Sequence, residues 1–446
     1  MSIRNVFPTV RPSLNLNFAR SKTLDPRITF SRTTTATYLD SDGLLKTAAA
    51  DEPRFDHKYE NGNIVSLGLL IEGGETNSVR KSEDLTIGRW TEVGDGVTVT
   101  TNQAVAPDGN TTADKVAIKT TGSGVKAIQS SILSGSISGS GTAITSSIFC
   151  KAAEHNYVSV EMQGGGNSGS IVVDLSDGSL ITEVSSPDSY KIEPYPNDWY
   201  RISVTSTTAN TSATALRVHL TDSSGNSTWT GTIGNGVYLW GGQHEVGAFP
   251  TSYIPTDDTS GGKTREPDNV SVTGTDFSDF YNQSEGTLYA SASILGKNIH
   301  TTGTEYPNGI CKISDTGSNL AYSRVLYFGG QADPDRVTFG NRDASAGSIS
   351  PRDDTFGDIQ LNQYYKVCGA YITNDEQAMC LNGRDIKFNG TNVNPPTPNQ
   401  FLIGTGYHGA IGNAPGGDEM YLNGHISELR YYPKRLSNDQ LQNLTK

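Results

Sequence analysis

A strand pattern near the C-terminus, which stops at a proline and is followed by a capped helix, constrains the fold more than any other feature. Pro433 ends the strand because proline has no backbone N–H to offer a neighbouring strand. Ser437 and Gln440 have the spacing of a capping box, and Leu436 and Leu441 flank the cap as a hydrophobic staple. The pattern therefore predicts a final strand followed directly by a short helix.

The composition is typical of an all-β protein. Only 34% of the 446 residues are apolar and 18% are charged, whereas the chain has 49 glycines and 20 tyrosines. Short β-branched runs separated by Gly, Ser, Thr, Asn and Asp favour strands and turns, and the modest charged fraction argues against extensive disorder. Because the length exceeds what one hydrophobic core usually serves, we expect two or three domains.

The charge and the N-terminal sequence exclude two classes of partner. The net charge of −13 gives no basic surface for a phosphate backbone, so we expect no nucleic-acid partner. No run approaches the roughly 18 apolar residues of a membrane span, and the N-terminus lacks the apolar region of a signal peptide. We therefore expect no membrane insertion and folding in a cytosol.

The first 77 residues begin with strand and hairpin patterns. Residues 14–18 alternate apolar and polar, and Asp42-Gly43 separates two short runs as a tight turn does. Together with the motif Pro53-Arg-Phe-Asp-His57, this segment resembles the small N-terminal module of many bacteriophage virion proteins. The resemblance implies a virion-attachment module over residues 1–77.

Residues 78–256 contain short strands at the spacing of a β-sandwich, and Asp177-Gly178 is a further turn signal. The stretch Trp240-Gly-Gly-Gln-His-Glu-Val-Gly-Ala-Phe-Pro-Thr-Ser-Tyr-Ile-Pro-Thr256 resembles the end of jelly-roll carbohydrate-binding modules found in virion proteins. A jelly-roll sandwich is the fold that this resemblance implies. The serine and glycine residues of 134–141 are consistent with a domain linker or with a hairpin loop inside the sandwich.

Residues 257–270 concentrate Gly, Asp, Thr and Pro without periodicity and are predicted to be a linker. Beyond it, a hairpin over residues 364–384 and the closing strand Asn423-Gly-His-Ile-Ser-Glu-Leu-Arg-Tyr-Tyr432 resemble concanavalin A-like (laminin G-like) lectin domains. We therefore expect a lectin-like β-sandwich over residues 271–446, ending in the short helix.

The four cysteines are too few and too widely spaced for a disulfide framework or a zinc site. A hairpin centred on Asn374 places Cys368 directly across from Cys380, where a disulfide is conceivable but strained. In a reducing cytosol we expect both thiols to remain reduced.

Motifs of enzymes are missing from the sequence. It contains no phosphate-binding loop, no zinc-protease motif and no nucleophile elbow, and its seven histidines are scattered singly. Two carboxylates would suffice for glycoside hydrolysis, but nothing distinguishes such a pair among 47 acidic residues. We therefore predict no catalytic residue and a protein that is not an enzyme.

Glycan binding needs aromatic faces and planar polar groups on loops. Trp229 is the tryptophan least embedded in a strand, and it is a candidate sugar platform or a loop residue that caps a sheet edge. Trp90, Trp199 and Trp240 adjoin apolar strand residues and are predicted to lie in the core.

A glycine-rich loop at residues 405–419 offers further candidates. Its aromatic, imidazole, amide and carboxylate groups suit a sugar or a calcium ion, or the loop is buried in a subunit contact. These glycan-binding candidates are Tyr407, His408, Asn413, Asp418 and Glu419. Relatives in the lectin-like family often carry Asp where this chain has Ser427, so we predict no calcium, no other metal and no cofactor.

Taken together, the resemblances imply a bacteriophage virion structural protein of the tail fibre or receptor-binding type. It would be made in the host cytoplasm, assemble as a homotrimer on the particle through contacts of its N-terminal module with tail or baseplate proteins, and bind host surface glycans through residues 271–446. A head fibre or capsid decoration protein and a glycan-degrading tailspike are the alternatives.

Overall fold

The computed structural model of the chain describes residues 7–86, 88–94, 96–130, 140–258, 262–299, 305–315, 322–329, 336–342, 348–349, 351–353, 357–389, 397–405 and 420–446. Within this part of the chain the protein is built from antiparallel strands, with three short helices. The predicted all-β class and the short C-terminal helix are confirmed.

The elements before residue 78 are seven strands and one helix: β1 (Leu14–Asn17), α1 (Phe18–Ser21), β2 (Thr29–Ser31), β3 (Ala36–Leu39), β4 (Leu45–Ala48), β5 (Arg54–Glu60), β6 (Asn63–Ile71) and β7 (Glu75–Asn77). The next stretch contains twelve strands: β8 (Trp90–Val93), β9 (Val97–Ala104), β10 (Ala113–Ile118), β11 (Ala127–Ser130), β12 (Ala143–Ala152), β13 (Tyr157–Gly164), β14 (Gly169–Asp174), β15 (Ser179–Ser185), β16 (Ser189–Tyr195), β17 (Trp199–Thr207), β18 (Thr214–Leu220) and β19 (Gly236–Val246).

The remaining elements are β20 (Lys263–Arg265), β21 (Asn269–Thr273), α2 (Gly274–Ser278), β22 (Glu285–Ile294), β23 (Asn298–Ile299), β24 (Glu305–Tyr306), β25 (Asn308–Ser314), β26 (Tyr322–Phe328), β27 (Val337–Arg342), β28 (Ser348–Ile349), β29 (Arg352–Asp353), β30 (Tyr365–Ile372), β31 (Gln377–Leu381), β32 (Lys387–Asn389), β33 (Gln400–Ile403), β34 (Gly424–Tyr432) and α3 (Asn438–Leu444).

Two eight-stranded sheets form the C-terminal sandwich. The first has the order β32-β31-β30-β22-β34-β6-β5, with β1 also paired to β34. The second has the order β2-β21-β33-β25-β26-β27-β28, with β29 also paired to β27. Apolar side chains of both sheets, including those of Leu288, Leu429 and Phe401, form one buried core between them.

The N-terminal segment is part of this sandwich, so the prediction of a separate module over residues 1–77 is wrong. Leu14 of β1 pairs with Tyr431, Leu70 of β6 pairs with His425, and β2 pairs with β21. The physical reason is core size, because so short a segment buries little apolar surface by itself. Its alternating leucines instead contribute to the larger core.

Residues 78–258 form the predicted second sandwich, inserted between β7 and β20. Its two six-stranded sheets have the orders β16-β17-β12-β19-β10-β9 and β15-β14-β13-β18-β11-β8. Gly178, in the predicted turn between β14 and β15, has a φ of 76°, which glycine adopts without strain. Trp90, Trp199 and Trp240 are each 1% exposed, as predicted for core residues.

The predicted linker over residues 257–270 is not unstructured. It contains β20 and the start of β21, and Asn77 pairs with Lys263 where the chain leaves and re-enters the C-terminal sandwich. Arg265 and Asp268 are buried. The linker prediction is wrong because these charged side chains find buried partners of opposite charge that are far away in the sequence.

The C-terminal pattern behaves as predicted. β34 ends at Tyr432, before Pro433, and Ser437 with Gln440 forms a capping box at the start of α3. Leu436 and Leu441 are both buried in a cluster on the outer face of the first sheet. The helix therefore covers part of that face and leaves the neighbouring part open.

Candidate functional site

An open groove of about 410 Å³ lies on the outer face of the first sheet of the C-terminal sandwich. The alternation of β22 sends Leu288 and Ala290 into the core and turns Tyr289 and Ser291 to the outer face. The groove residues come from β22, β30, β34, and the two helical ends: Asn17, Ala19, Tyr289, Ser291, Lys366, Ser427, Glu428, Arg430 and Leu444.

A charged hydrogen-bond network is the main feature of the groove. The Asn17 amide donates to one carboxylate oxygen of Glu428 at 2.7 Å, and Arg430 donates to the other at 2.8 Å. The side chains of Glu428 and Arg430 are 24% and 26% exposed, so both still reach solvent. These bonds hold planar polar groups in fixed orientations before any ligand arrives.

Tyr289 supports this network from below. The guanidinium of Arg430 lies over its ring, 5.2 Å from the ring centre. Tyr289 is 3% exposed and belongs to the cluster under α3, and burial together with nearby Glu428 raises the pKa of its phenol. The ring is thus a neutral support for Arg430 and not an open platform for a sugar.

Hydroxyl and ammonium groups complete the groove. Ser427 Oγ donates to Ser291 Oγ at 2.8 Å, and Lys366 Nζ donates to the backbone oxygen of Lys446 at 2.6 Å. Glu428 is the one carboxylate side chain among the lining residues. The groove can therefore bind a polyhydroxylated or otherwise polar molecule, but these residues do not include the carboxylate pair that most glycoside hydrolases use.

Trp229 lies in the inserted sandwich, away from this groove. Its ring stacks on His155 at a centroid distance of 5.0 Å, its Nε1 donates to the Leu220 carbonyl at 2.9 Å, and Lys126 Nζ is 5.4 Å from the ring centre. Burial lowers the pKa of His155, which favours a neutral imidazole against the indole. These contacts describe a half-buried residue packed at the end of a sheet.

The other predicted candidates, Tyr407, His408, Asn413, Asp418 and Glu419, lie outside the described residues. Their role in glycan binding therefore stays a prediction.

A buried ionic cluster lies where the two sandwiches meet. Asp268 accepts hydrogen bonds from Arg32 at 2.8 Å and from Arg54 at 2.5 Å, and Arg54 also donates to Glu72 at 2.7 Å. All these side chains are inaccessible to solvent. Ser252 of the inserted sandwich donates to Glu72 through its hydroxyl and its backbone N–H, so the cluster joins the two sandwiches.

The pKa values at this junction are shifted in opposite directions. Burial alone would raise the pKa of Glu72, but the guanidiniums of Arg265 and Arg54 hold it well below its usual range. For half-buried Glu75, burial and the neighbouring Glu245 carboxylate raise the pKa to about 8. The junction therefore holds one carboxylate as an anion and favours a proton on another.

Two absences limit the chemistry of the described residues. No group of three or more His, Cys, Asp or Glu side chains there is arranged to hold a metal ion. None of the helices in the described ranges is long and apolar enough to cross a membrane.

Sequence reasoning missed the groove. The alternation Glu428-Leu-Arg430 showed that two charged side chains share one face of the last strand, and this was the available signal. It did not show that the N-terminal Asn17 lies beside them, since β1 and β34 are separated by about 400 residues.

No protein-family model and no curated protein matches the chain. Among solved structures, it is similar to the Ruminococcus gnavus IT-sialidase CBM40 bound to α2,6-sialyllactose, with a TM-score of 0.27, 14% identity, and coverage of 37% of this chain and 85% of that one. The botulinum neurotoxin serotype G binding domain gives a TM-score of 0.28 and 12% identity, over 42% of this chain and 43% of that one.

Mouse laminin α1 domains LG4-5 give a TM-score of 0.25 and 10% identity, over 83% of this chain and 91% of that one. Identities of 10% to 14% do not indicate a shared ligand.

Proposed function

We propose that the protein is a bacteriophage virion structural protein of the tail fibre or receptor-binding type, which adheres to host surface glycans through the groove beside α3. The observation that carries this proposal is the fixed arrangement of Asn17, Glu428 and Arg430 in an open groove. The phage origin is supported by the sequence motifs of the first 256 residues.

Sugar hydroxyls suit this groove because each can donate to a carboxylate and accept from an amide or a guanidinium. Ala19 and Leu444 add apolar surface to its lining. A saccharide would therefore meet both polar and apolar groups in the groove.

The binding unit differs from the fragment 271–446 that the sequence predicts. Asn17 and Ala19 line the groove, and β1, β5 and β6 belong to the same sheet. A fragment beginning at residue 271 would lack these strands. The unit proposed to bind is thus residues 7–77 together with residues 262–446.

Binding without hydrolysis is part of the proposal, since Glu428 has no second carboxylate side chain beside it among the groove residues. The attachment to tail or baseplate proteins and the homotrimer are proposed as well. Three copies suit an adhesin because weak sites combine through effective concentration. Light scattering on the purified chain tests the trimer, and antibody labelling of virions distinguishes a tail fibre from a head fibre or decoration protein.

The test of the site compares the full chain with Arg430→Ala and Asn17→Ala on an array of bacterial surface polysaccharides. We expect each variant to weaken binding at least about tenfold, because a charge-assisted hydrogen bond contributes about 1.5 to 3 kcal/mol. Arg20→Ala is the matched control, since Arg20 is exposed on α1 and is not among the groove residues.

Unchanged binding by both groove variants, with loss of binding in Trp229→Ala, would move the site to the inserted sandwich. Release of reducing ends from a bound polysaccharide would favour the tailspike instead.

A further inference from the structure

Residues 180–190 of the inserted sandwich, which lie in β15 and at the start of β16, carry an unusual concentration of exposed apolar side chains. Among the described residues, twelve large apolar side chains are exposed, and four of them lie between residues 180 and 190. They are Leu180 at 36%, Ile181 at 38%, Val184 at 56% and Tyr190 at 40%. Exposed apolar groups gathered in one place mark interaction surfaces, whereas singly scattered ones do not.

The edge strand β15 explains this exposure. It ends its sheet, and its pairing with β14 skips Ile181 and Val184, which are bulged out of the ladder. A bulge re-aims a side chain from its regular face, and both of these apolar groups are exposed to solvent. The bulges also limit how long a flat pairing along this edge can be.

The other edges of the same sandwich are protected in ways that β15 is not. β16 contains Lys191 and Pro194, and β8 has only four residues. The exposed side chains of β9 are polar. Proteins commonly blunt sheet edges with lysine, proline, short strands or bulges, and of these β15 has its two bulges but neither lysine nor proline.

The charge around β15 indicates the kind of partner. From Asp174 to Tyr190 the chain has four carboxylates and neither lysine nor arginine. Three of these, Asp174, Asp177 and Asp188, accept hydrogen bonds from neutral serine or threonine groups, which leave their negative charge in place. A second copy of the chain would bring a like-charged edge, whereas a basic segment would be attracted.

We propose that β15 is a docking edge for an extended basic segment of a partner protein, which adds a short strand beside Ser179–Ser185 and places apolar side chains against Ile181 and Val184. The backbone groups at the outer side of β15 supply the pairing, and the surrounding carboxylates attract lysine or arginine of the segment. This site is separate from the groove and independent of glycan binding.

The probe is a labelled nine-residue peptide, Lys-Val-Lys-Ile-Lys-Val-Lys-Ile-Lys with blocked ends, titrated against the full chain by fluorescence anisotropy. We expect saturable binding that weakens at high salt, and a loss of at least about tenfold in Val184→Lys and in Ile181→Lys, because like charges facing each other repel. Ile233→Lys is the matched control, since Ile233 is 59% exposed on the same sandwich and lies outside the acidic stretch.

A second peptide with alternate backbone nitrogens methylated keeps the side chains but loses the N–H groups of one edge. We expect it not to bind. Equal binding of the methylated peptide, or equal binding by the Val184→Lys and parent proteins, would overturn the proposal. A dimer that Val184→Lys abolishes would identify a second copy as the occupant and would overturn it too.

Discussion

Replacing Asp268 with asparagine tests how much the buried ionic cluster contributes to stability. Asp268 is 1% exposed, and its carboxylate accepts from Arg32, from Arg54 and from the Glu72 backbone N–H. In Asp268→Asn, Arg54 keeps Glu72 as a charged partner, but the Arg32 guanidinium is left with neutral acceptors, which are backbone carbonyls and an amide oxygen. Breaking a buried ion pair from one side typically costs about 3 to 5 kcal/mol, so we expect a loss of about 4 kcal/mol.

The assay is urea unfolding at pH 7 followed with two signals. All four tryptophans lie between residues 90 and 240, so tryptophan fluorescence reports the inserted sandwich, whereas far-ultraviolet circular dichroism reports both sandwiches. We expect the transition seen only by circular dichroism to move to lower urea, and the fluorescence transition to move less. The two unfolding transitions can differ because a two-domain chain need not unfold in a single step.

Asp25→Asn is the matched control for this experiment. Asp25 pairs with Arg27 at 2.8 Å, but the two side chains are 22% and 29% exposed. A solvent-exposed pair contributes about 0 to 1 kcal/mol. If Asp268→Asn destabilises no more than Asp25→Asn, the argument that the cluster ties the sandwiches together is refuted.

Two further predictions follow from titratable groups. The pKa of Glu75 in the folded state, about 8, exceeds the usual value of 4.5. Between these two pH values the folded state therefore binds more protons than the unfolded state. The free energy of unfolding should fall as the pH rises through this window. Urea unfolding midpoints measured from pH 4.5 to 8 should decrease less in Glu75→Gln than in the parent protein. The decrease in the control Glu266→Gln, at an exposed residue, should equal that of the parent. Equal decreases in the two variants would contradict the assignment to Glu75. Cys368 and Cys380 should remain reduced, and a linked peptide recovered after alkylation without reductant would show otherwise.

The thiol prediction gains a geometric reason from the structure. Cys368 pairs directly with Cys380, as the hairpin pattern predicted. Opposite residues of an antiparallel hairpin alternate between hydrogen-bonded and non-hydrogen-bonded pairs. Backbone hydrogen bonds join Ile372 to Glu376 and Lys366 to Asn382. The cysteines lie an even number of residues from both pairs, so they too form a hydrogen-bonded pair. Such pairs hold the two Cα atoms about 5.5 Å apart, which a disulfide can span. Their Cβ atoms, however, lie toward the upper end of the roughly 4.5 to 5.5 Å range of opposite residues, beyond the roughly 3.8 Å usual for a disulfide, so a bridge would be strained.

Local signals in the sequence were sufficient for the turns, the capped helix and the core tryptophans. Asp177-Gly178 and the Ser437 cap each depend on residues close together in the chain. The strand with which a given strand pairs could not be predicted from such local signals. Alternation in residues 14–18 showed that one face is buried but not against which sheet, and Phe18 in fact begins α1. The groove and the ionic cluster could not be predicted, because each joins segments hundreds of residues apart.

The same long-range contacts explain how the inserted sandwich is fastened to the other one where the chain leaves β7. The buried side chain of Asn77 donates to the carbonyls of Gly242 and Ile254 and accepts from the backbone N–H groups of Val79 and His244. All its hydrogen-bonding groups are thus used to fasten β7 to the inserted sandwich. Since Ser252 also bonds to Glu72, two independent polar anchors hold the junction, and a lost anchor leaves buried polar groups without partners. A hinge between β7 and the inserted sandwich would therefore have to break hydrogen bonds in a buried site.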